Sequence, residues 1–413
     1  LQGKAQAGLP EILQVSGPTR WPPVTGSQTL PENTMNFAFN EEQNAIRDVV
    51  ARFSAEVLAP GYRKRDQEGV IEKDVIRQLG EMGLLGGELP EKFGGSGMDC
   101  VTSGLIIEEI SKGDFNVGYI PLLTSLNGQI IASHAAPDLA KEWLHGMTTG
   151  QKVACIALTE PHGGSDAANL RLKAEKKGAV YVLNGEKTSI SMADQADVAV
   201  VFARTGTVEQ RASGISAFLV PMNSPGITTT RFEDNGQRAI GRGSIFFDNV
   251  EVPAHNMMGD EGKGFKQVMQ GFDYSRALIG LQCLAVAQQS LDETWQWLTE
   301  RKAFGQNLSA FQGLTHPLAE YQTFVHAARM QCYHALWLKD NNLPHNAEAA
   351  MNKWWGPKLS FDVVKQCLLA HGHTGWGEDL PFAQRLRDVL GLQIGDGTAQ
   401  IMKNIIAREY LPK

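Results

Sequence analysis
The feature that most constrains this chain is a double switch in the spacing of its apolar residues. From about residue 40 to about residue 152 they recur at helical spacing. In NEEQNAIRDVVARFSAEVLAP, Ile46, Val49, Val50, Phe53 and Val57 share one face, Asn40 is placed to cap the start, and Glu41 and Glu42 fill the first turn; Pro60 is expected to stop the helix. From about residue 153 to about residue 256 the period drops to two. VACIALTE, AVYVLNGEKTSIS, ADVAVVFART, ISAFLVPM, GITTTRFE and GSIFFDNVEVP are short β-branched and aromatic runs punctuated by Gly, Pro and Asn. Beyond about residue 262 the helical period returns in longer pieces, SRALIGLQCLAVAQQSLDETWQWLTERKAF and HPLAEYQTFVHAARMQCYHALWLKDN. Strands that follow one another without intervening helices predict an antiparallel sheet or barrel-like module and argue against a Rossmann fold. The expected class is therefore an α+β multidomain chain, ordered α, then β, then α.

The domains expected on this pattern are an N-terminal α-helical domain over residues 35–152, a middle β domain over 153–256 and a C-terminal helical bundle domain over 257–413. Further N-terminal helices are predicted over EKDVIRQLGEMG, VTSGLIIEEISK, the segment from Pro121 to His134, and PDLAKEWLHGM. Residues 1–34 are rich in Pro, Gly, Ser and Thr without a sustained period. They read as a flexible leader or a vector-derived segment, with Met35 as a natural start.

With 413 residues the chain is long enough for several domains and a sizeable core. A net charge of −7 argues against a nucleic-acid footprint, and no apolar run of roughly 18 residues suggests a membrane span. Cys100, Cys155, Cys283, Cys332 and Cys367 form no CxxC pair, which speaks against a zinc site or a disulfide framework and suits a cytoplasmic setting.

Five motifs carry candidate chemistry. LTEPHGGSDAANL, Leu158 to Leu170, is either a plain turn or a loop whose backbone N–H groups meet phosphate or flavin oxygens; it matches neither a Walker A loop nor GxGxxG. In NGEKTSIS, Asn184-Gly185 is a hairpin signal, and Thr188, Ser189 and Ser191 are either exposed β-formers or hydroxyls for a polar cofactor edge. Arg276, expected near the opening of the helix in FDYSRALIG, and Arg301, in ERKAFGQNLSAFQ with Phe304 and Gln312, are either phosphate clamps or surface ion pairs. His371 and His373 in AHGHTGWG form an HxH without third and fourth ligands nearby, so no metal is expected; a glycine-rich loop laid over something flat is the preferred reading.

In their order along the chain, LTEPHGGSD, NGEKTSIS, RKAFGQ with FQ, HGHTG, RLRD and GDGTAQIMKNIIAREYL resemble the acyl-CoA dehydrogenase family, from about Met35 to Lys413. The resemblance implies a C-terminal four-helix bundle, one FAD per subunit and a homotetramer built as a dimer of dimers. It would lay Leu158, Thr159, Ser165 and Ser191 along the flavin or the substrate pantetheine. Arg301, Phe304, Gln312 and the loop of His371 and Gly372 would reach the FAD of a neighbouring subunit, Thr398 and Gln400 would touch the cofactor, and Asp273, Arg276 and Gly397 would line the acyl-CoA channel. It further implies electron-transferring flavoprotein as acceptor. An acyl-CoA oxidase, and a flavoprotein or acyl-CoA binder that has lost catalysis, are the alternatives.

The family places a catalytic base, usually Glu, directly before Gly-Thr; here the slot holds Asp396. Removing the weakly acidic α-hydrogen of a thioester needs a positioned carboxylate, while the β-hydride leaves for flavin N5. Some members carry the base as a Glu before the Arg of FDYSR, and Ser275 occupies that slot. Asp is one methylene shorter than Glu, and Ser189 stands where many relatives carry an aromatic. Both substitutions make room, so the resemblance is to cyclohexanecarboxyl-CoA dehydrogenases of alicyclic acid degradation, with short- or branched-chain acyl-CoA as the alternative substrate.

Overall fold
The computed structural model describes residues 37–412, so the leader assignment lies outside the described residues. The first helix, α1 (Glu41–Phe53), begins where the pattern places it. Asn40 Oδ1 accepts from the Gln43 backbone N–H at 2.8 Å, and Gln43 Oε1 accepts from the Asn40 N–H at 3.1 Å. Pro60 does not stop the helical path. The chain widens into a π-helical stretch at Ser54–Leu58, tightens into a 3₁₀ turn at Ala59–Gly61 that absorbs the missing N–H, and continues as α2 (Tyr62–Glu68). α3 (Lys73–Glu81), α4 (Cys100–Gly113), α5 (Tyr119–His134) and α6 (Pro137–Thr148) complete the N-terminal region. α4 and α5 are buried almost all round, as helices at a centre must be.

The sheet comprises β1 (Ala154–Ala157), β2 (Lys173–Lys177), β3 (Val180–Ser191), β4 (Val198–Arg204), β5 (Ile215–Pro221), β6 (Ile227–Arg231), β7 (Arg242–Pro253) and β8 (Met257–Met258). Its order is β6-β7-β3-β2-β4-β5-β8, with β1 beside β4. Three expectations need correcting. The sheet is not wholly antiparallel: β1 runs parallel to β4 with Ala154 opposite Val198, and β2 meets β4 in parallel at Lys173 and Arg204. Between β1 and β4 the chain makes the 158–172 loop and the β2–β3 hairpin, a crossover long enough for a parallel return. Next, Asn184-Gly185 makes no hairpin. β3 runs straight through it, and β7 carries the extra residue of a bulge opposite, between the Leu183–Val250 and Gly185–Phe247 pairs; Gly185 has φ +138°. The tight turn falls instead at Gly178 (φ +63°), between Lys177 and its partner Val180. Finally, β2 was not expected, because KAEKK shows one inward side chain, Ala174, among charges.

The C-terminal region is helical: α7 (Gly264–Glu300), a short hairpin of β9 (Lys302–Ala303) and β10 (Gln306–Asn307), α8 (Gln312–Asp340), α9 (Asn346–Ala370), α10 (His373–Trp376), α11 (Phe382–Gly391) and α12 (Ala399–Tyr410). α7 packs along α9, α8 and α4. The α7–α9 approach is close because glycines face each other: a Cβ at Gly356 would lie 3.0 Å from Gly280 Cα. FDYSR sits well inside α7, not at its opening, so Arg276 projects from a helix interior.

Candidate active site
Asp396 lies in the turn that joins α11 to α12. The turn is left-handed at two successive residues, with φ +54° at Asp396 and +96° at Gly397. Aspartate tolerates that region better than most side chains. A replacement at Gly397 would be strained by the φ of +96°, and its Cβ, 2.6 Å from Met402 Cε, would also push that flexible side chain aside. Thr398 then caps α12, its side chain accepting from the Ile401 N–H at 3.4 Å.

Three helices supply the surroundings of this acid. From α9, Lys353, 1% exposed, donates to the carbonyls of Leu392 at 2.6 Å and Gly397 at 3.0 Å. From α7, Arg276 is buried and its Nη1 donates to Asp273 Oδ1 at 2.8 Å, while its buried Nε has no partner among the described residues. The buried phenol of Tyr119 opens α5 and feels the Asp396 charge. Asp396 itself is half-buried. Desolvation raises its carboxyl above the ordinary aspartate value, with the Lys353 and Arg276 charges pulling it back. Burial likewise lowers Lys353, to about 8, against the pull of Asp396. Among the described residues no hydrogen bond uses the Asp396 backbone N–H, so this residue offers a carboxylate and an amide donor together.

A second cluster forms where β1 leaves the sheet. Lys187, fully buried on β3, donates to Glu160 Oε1 at 2.7 Å and to the Leu158 carbonyl at 2.9 Å. The Glu160 carboxylate also accepts from the backbone N–H groups of Arg171 and Leu172. This pair fastens the 158–172 loop to the sheet, and burial brings Lys187 down to about 8. Leu158 is buried, Thr159 and Ser191 are half-buried, and Ser165 is exposed. Ser189 (φ +57°) and Met192 (φ +62°) twist the end of β3.

The loop passes a test for a flat polar group. A methyl added at Gly163 or Gly164 would meet nothing nearer than 3.8 Å beyond its chain neighbours, and no side-chain hydrogen bond among the described residues occupies the hydroxyls of Thr159, Ser165 or Ser191. An open backbone face beside unspent hydroxyls suits a flavin edge.

Other expected site residues do not join these clusters within one chain. Arg301, Phe304 and Gln312 gather at the β9–β10 hairpin and the start of α8. That is 25 residues along α7 from Arg276, or roughly 37 Å at helical rise. Phe304 is 95% exposed at φ +51°, packed only edgewise against Phe311. The His371 ring is buried, stacked on Trp297 at 4.9 Å and tilted against Phe382, with Nδ1 paired to the Cys367 carbonyl. What it lies over is therefore the protein's own tryptophan, while Gly372, with open space around it, and His373 face outward. Part of the expected loop is the short helix α10. No metal-holding cluster occurs among the described residues. Thr398 is half-buried at the head of α12 and Gln400 is exposed.

Sequence reasoning missed Lys353, Lys187 and Glu160. The only available signal for Lys353 was a lone cation in the otherwise apolar and small run AAMNKWWG, a pattern that fits a snorkelling surface lysine equally well.

Comparison with known proteins bears on all three regions. Family models match in succession: acyl-CoA dehydrogenase, N-terminal domain, at residues 40–151; middle domain at 155–250; and C-terminal domain at 262–411. The mitochondrial short-chain specific acyl-CoA dehydrogenase of Rattus norvegicus is 33% identical over 376 residues, 90% of each chain. The structure of butyryl-CoA dehydrogenase from Megasphaera elsdenii superposes with a TM-score of 0.88 at 30% identity, over 92% of this chain and 100% of that one. A chain from a structure of the electron-transferring flavoprotein of Acidaminococcus fermentans superposes at 0.89 with 32% identity, over 92% and 100%.

Proposed function
The chain belongs to the acyl-CoA dehydrogenase family, and on that premise we propose that it oxidises an acyl-CoA thioester across its α,β bond with FAD as cofactor and Asp396 as the base. The observation that carries this reading is a half-buried carboxylate on a left-handed turn, raised by desolvation and acted on by the Lys353 and Arg276 charges. The neighbouring acid Asp273 is tied to Arg276, and the rival slot holds Ser275, so Asp396 stands alone for the task.

The residues divide the work. Asp396 removes the α-proton, and its free backbone N–H donates to the thioester oxygen as negative charge develops there. Desolvation keeps the carboxyl basic enough to act, and the two cations keep it ionised beforehand. Thr159 and Ser165, on the loop fastened by Glu160 and Lys187, would hold the cofactor edge together with Ser191 at the end of β3, with Leu158 beneath it. Bound there, FAD supplies the acceptor for the β-hydride. Asp273 and Arg276 would line the acyl-CoA channel together with Gly397, and Thr398 and Gln400 would meet the cofactor.

For the acyl group we favour an alicyclic acid such as cyclohexanecarboxylate. The support is the short base together with Ser189, which leave room for a tertiary α-carbon. A short-chain acyl-CoA is the second reading, favoured by the likeness to butyryl-CoA and short-chain specific dehydrogenases. Electron-transferring flavoprotein is the proposed acceptor. A homotetramer is supported by the apolar groups that stand outside the fold, Phe304 and Trp376 (78% exposed) among them. In it Arg301, Phe304, Gln312 and the Gly372 loop would reach a neighbour's cofactor. Five unpaired, buried cysteines support a cytoplasmic setting, and among the described residues no helix is long and apolar enough to cross a membrane.

The test is an anaerobic titration of the FAD-loaded protein with cyclohexanecarboxyl-, butyryl-, isobutyryl- and isovaleryl-CoA, following loss of flavin absorbance. Fastest bleaching by the cyclic ester supports the alicyclic reading, and fastest bleaching by butyryl-CoA replaces it with the short-chain one. Binding of every ester without bleaching would overturn the dehydrogenase assignment.

A further inference from the structure
Burying a lysine ammonium is costly unless partners compensate. Lys353 is nevertheless buried, and its two hydrogen-bond partners are neutral carbonyls. Those carbonyls belong to Leu392 and Gly397, which bracket the turn that carries Asp396. One cation therefore ties both ends of the turn to α9. An ammonium has three donors, so the carbonyls leave one uncommitted. The anion that Lys353 feels most strongly is Asp396.

The helix crossing explains how the cation arrives there. Gly280 and Gly356 let α7 and α9 approach backbone to backbone. Arg276 lies one turn before Gly280, and Lys353 lies one turn before Gly356, so the crossing sets a cation on each helix, and both charges act on Asp396 without forming an ion pair with it among the described residues. Arg276 is already engaged by Asp273. Lys353 has no carboxylate partner among the described residues.

We propose that Lys353 is a positioning residue for the dehydrogenation: it clamps the 392–397 turn in its left-handed form and biases Asp396 toward the ionised state before substrate binds. This rests on the reading of Asp396 as the base. The other ionisable groups that face this acid or Lys353 are Arg276 and its partner Asp273, Tyr119, and Cys283 on α7 beside Lys353. A purely structural role, capping the carbonyl of Leu392 at the end of α11, would hold the turn without changing the protonation of Asp396.

The experiment measures kcat and KM against pH for the FAD-loaded full chain as wild type, Lys353→Met, Lys353→Gln and Lys353→Arg, with Asp396→Asn alongside. Loss of the cation must move the acid limb of kcat/KM upward by about one pH unit in both neutral variants. Lys353→Arg must return it. kcat should fall about tenfold or more with KM changed less than about threefold, as expected when a reacting group is misplaced. Lys353→Gln retains donors for the carbonyls without charge, so it answers the question even where Lys353→Met fails to fold. An acid limb that stays at the wild-type pH in the folded, yellow Gln variant overturns the proposal, whatever its kcat. Wild-type turnover by Asp396→Asn instead overturns the base assignment, an outcome separate from the first.

Discussion
Asp396 combines three properties that rarely coincide: a left-handed backbone, an unspent N–H and a carboxyl raised by desolvation. Its titration sets the direction of the pH profile. A base must be ionised to work, so on the role proposed for Asp396 kcat/KM should fall as pH drops through a value above the ordinary aspartate range. A limb at or below that range would contradict the environment described. The adjacent Gly397 is equally constrained. Gly397→Ala introduces a Cβ at φ +96° against Met402, and should cost about 1–3 kcal/mol of stability and displace the carboxylate, lowering kcat about a hundredfold. Thermal melting and steady-state kinetics read the two effects. The acid was visible in the sequence because its Gly-Asp-Gly setting is local. Lys353 was not, since the two carbonyls it serves lie 39 and 44 residues away and a lysine in a helix carries no mark of burial.

Among the elements, the α7–α9 contact sets where the two cations stand. Gly356→Ala would press a methyl on Gly280 Cα at 3.0 Å, a backbone atom that cannot rotate aside. The expected result is a loss of about 1–3 kcal/mol in denaturant unfolding. A smaller kcat than the stability loss alone explains should accompany it, because α9 carries Lys353. An unchanged unfolding midpoint would mean that the helices are not in contact there. The order of helices and strands was legible because apolar spacing reports burial directly. Three elements depart from their local sequence signals for identifiable reasons. Pro60 is a stop signal, but a π-helical stretch just before it relieves the clash; Asn184-Gly185 is a turn signal, but β7 supplies a partner on both sides of a bulge; β2 shows one inward residue and so carries almost no alternation.

For the whole molecule, Asp388 on α11 joins the three regions. Its carboxylate accepts from Tyr62 Oη at 2.6 Å and Asn116 Nδ2 at 3.0 Å in the N-terminal helical region, and from the Gln237 N–H in the middle region. Burial raises Asp388 to about 6, and raises nearby Asp114, paired with Arg65, to about 7. A carboxyl raised by folding contributes stability that is complete below the unfolded value of about 4 and is lost as pH rises through the folded one. Asp388→Asn should therefore lower stability by about 1–3 kcal/mol near pH 4, and its deficit should narrow as pH rises through about 6. Melting curves of both proteins across that range check the sign, and a deficit that widens with pH would contradict it. None of these three ties was legible in the sequence, where the partners lie 326, 272 and 151 residues from Asp388.

The central claim is that one short carboxylate takes the α-proton. Its most direct measurement is anaerobic rapid mixing of the FAD-loaded wild type and Asp396→Asn with the preferred acyl-CoA, recording flavin absorbance in a single turnover. The account predicts that the Asn variant binds the ester yet bleaches at least about a thousandfold more slowly, the scale of a lost general base. Bleaching within a few-fold of wild type would contradict it and send the search for the base elsewhere in the site.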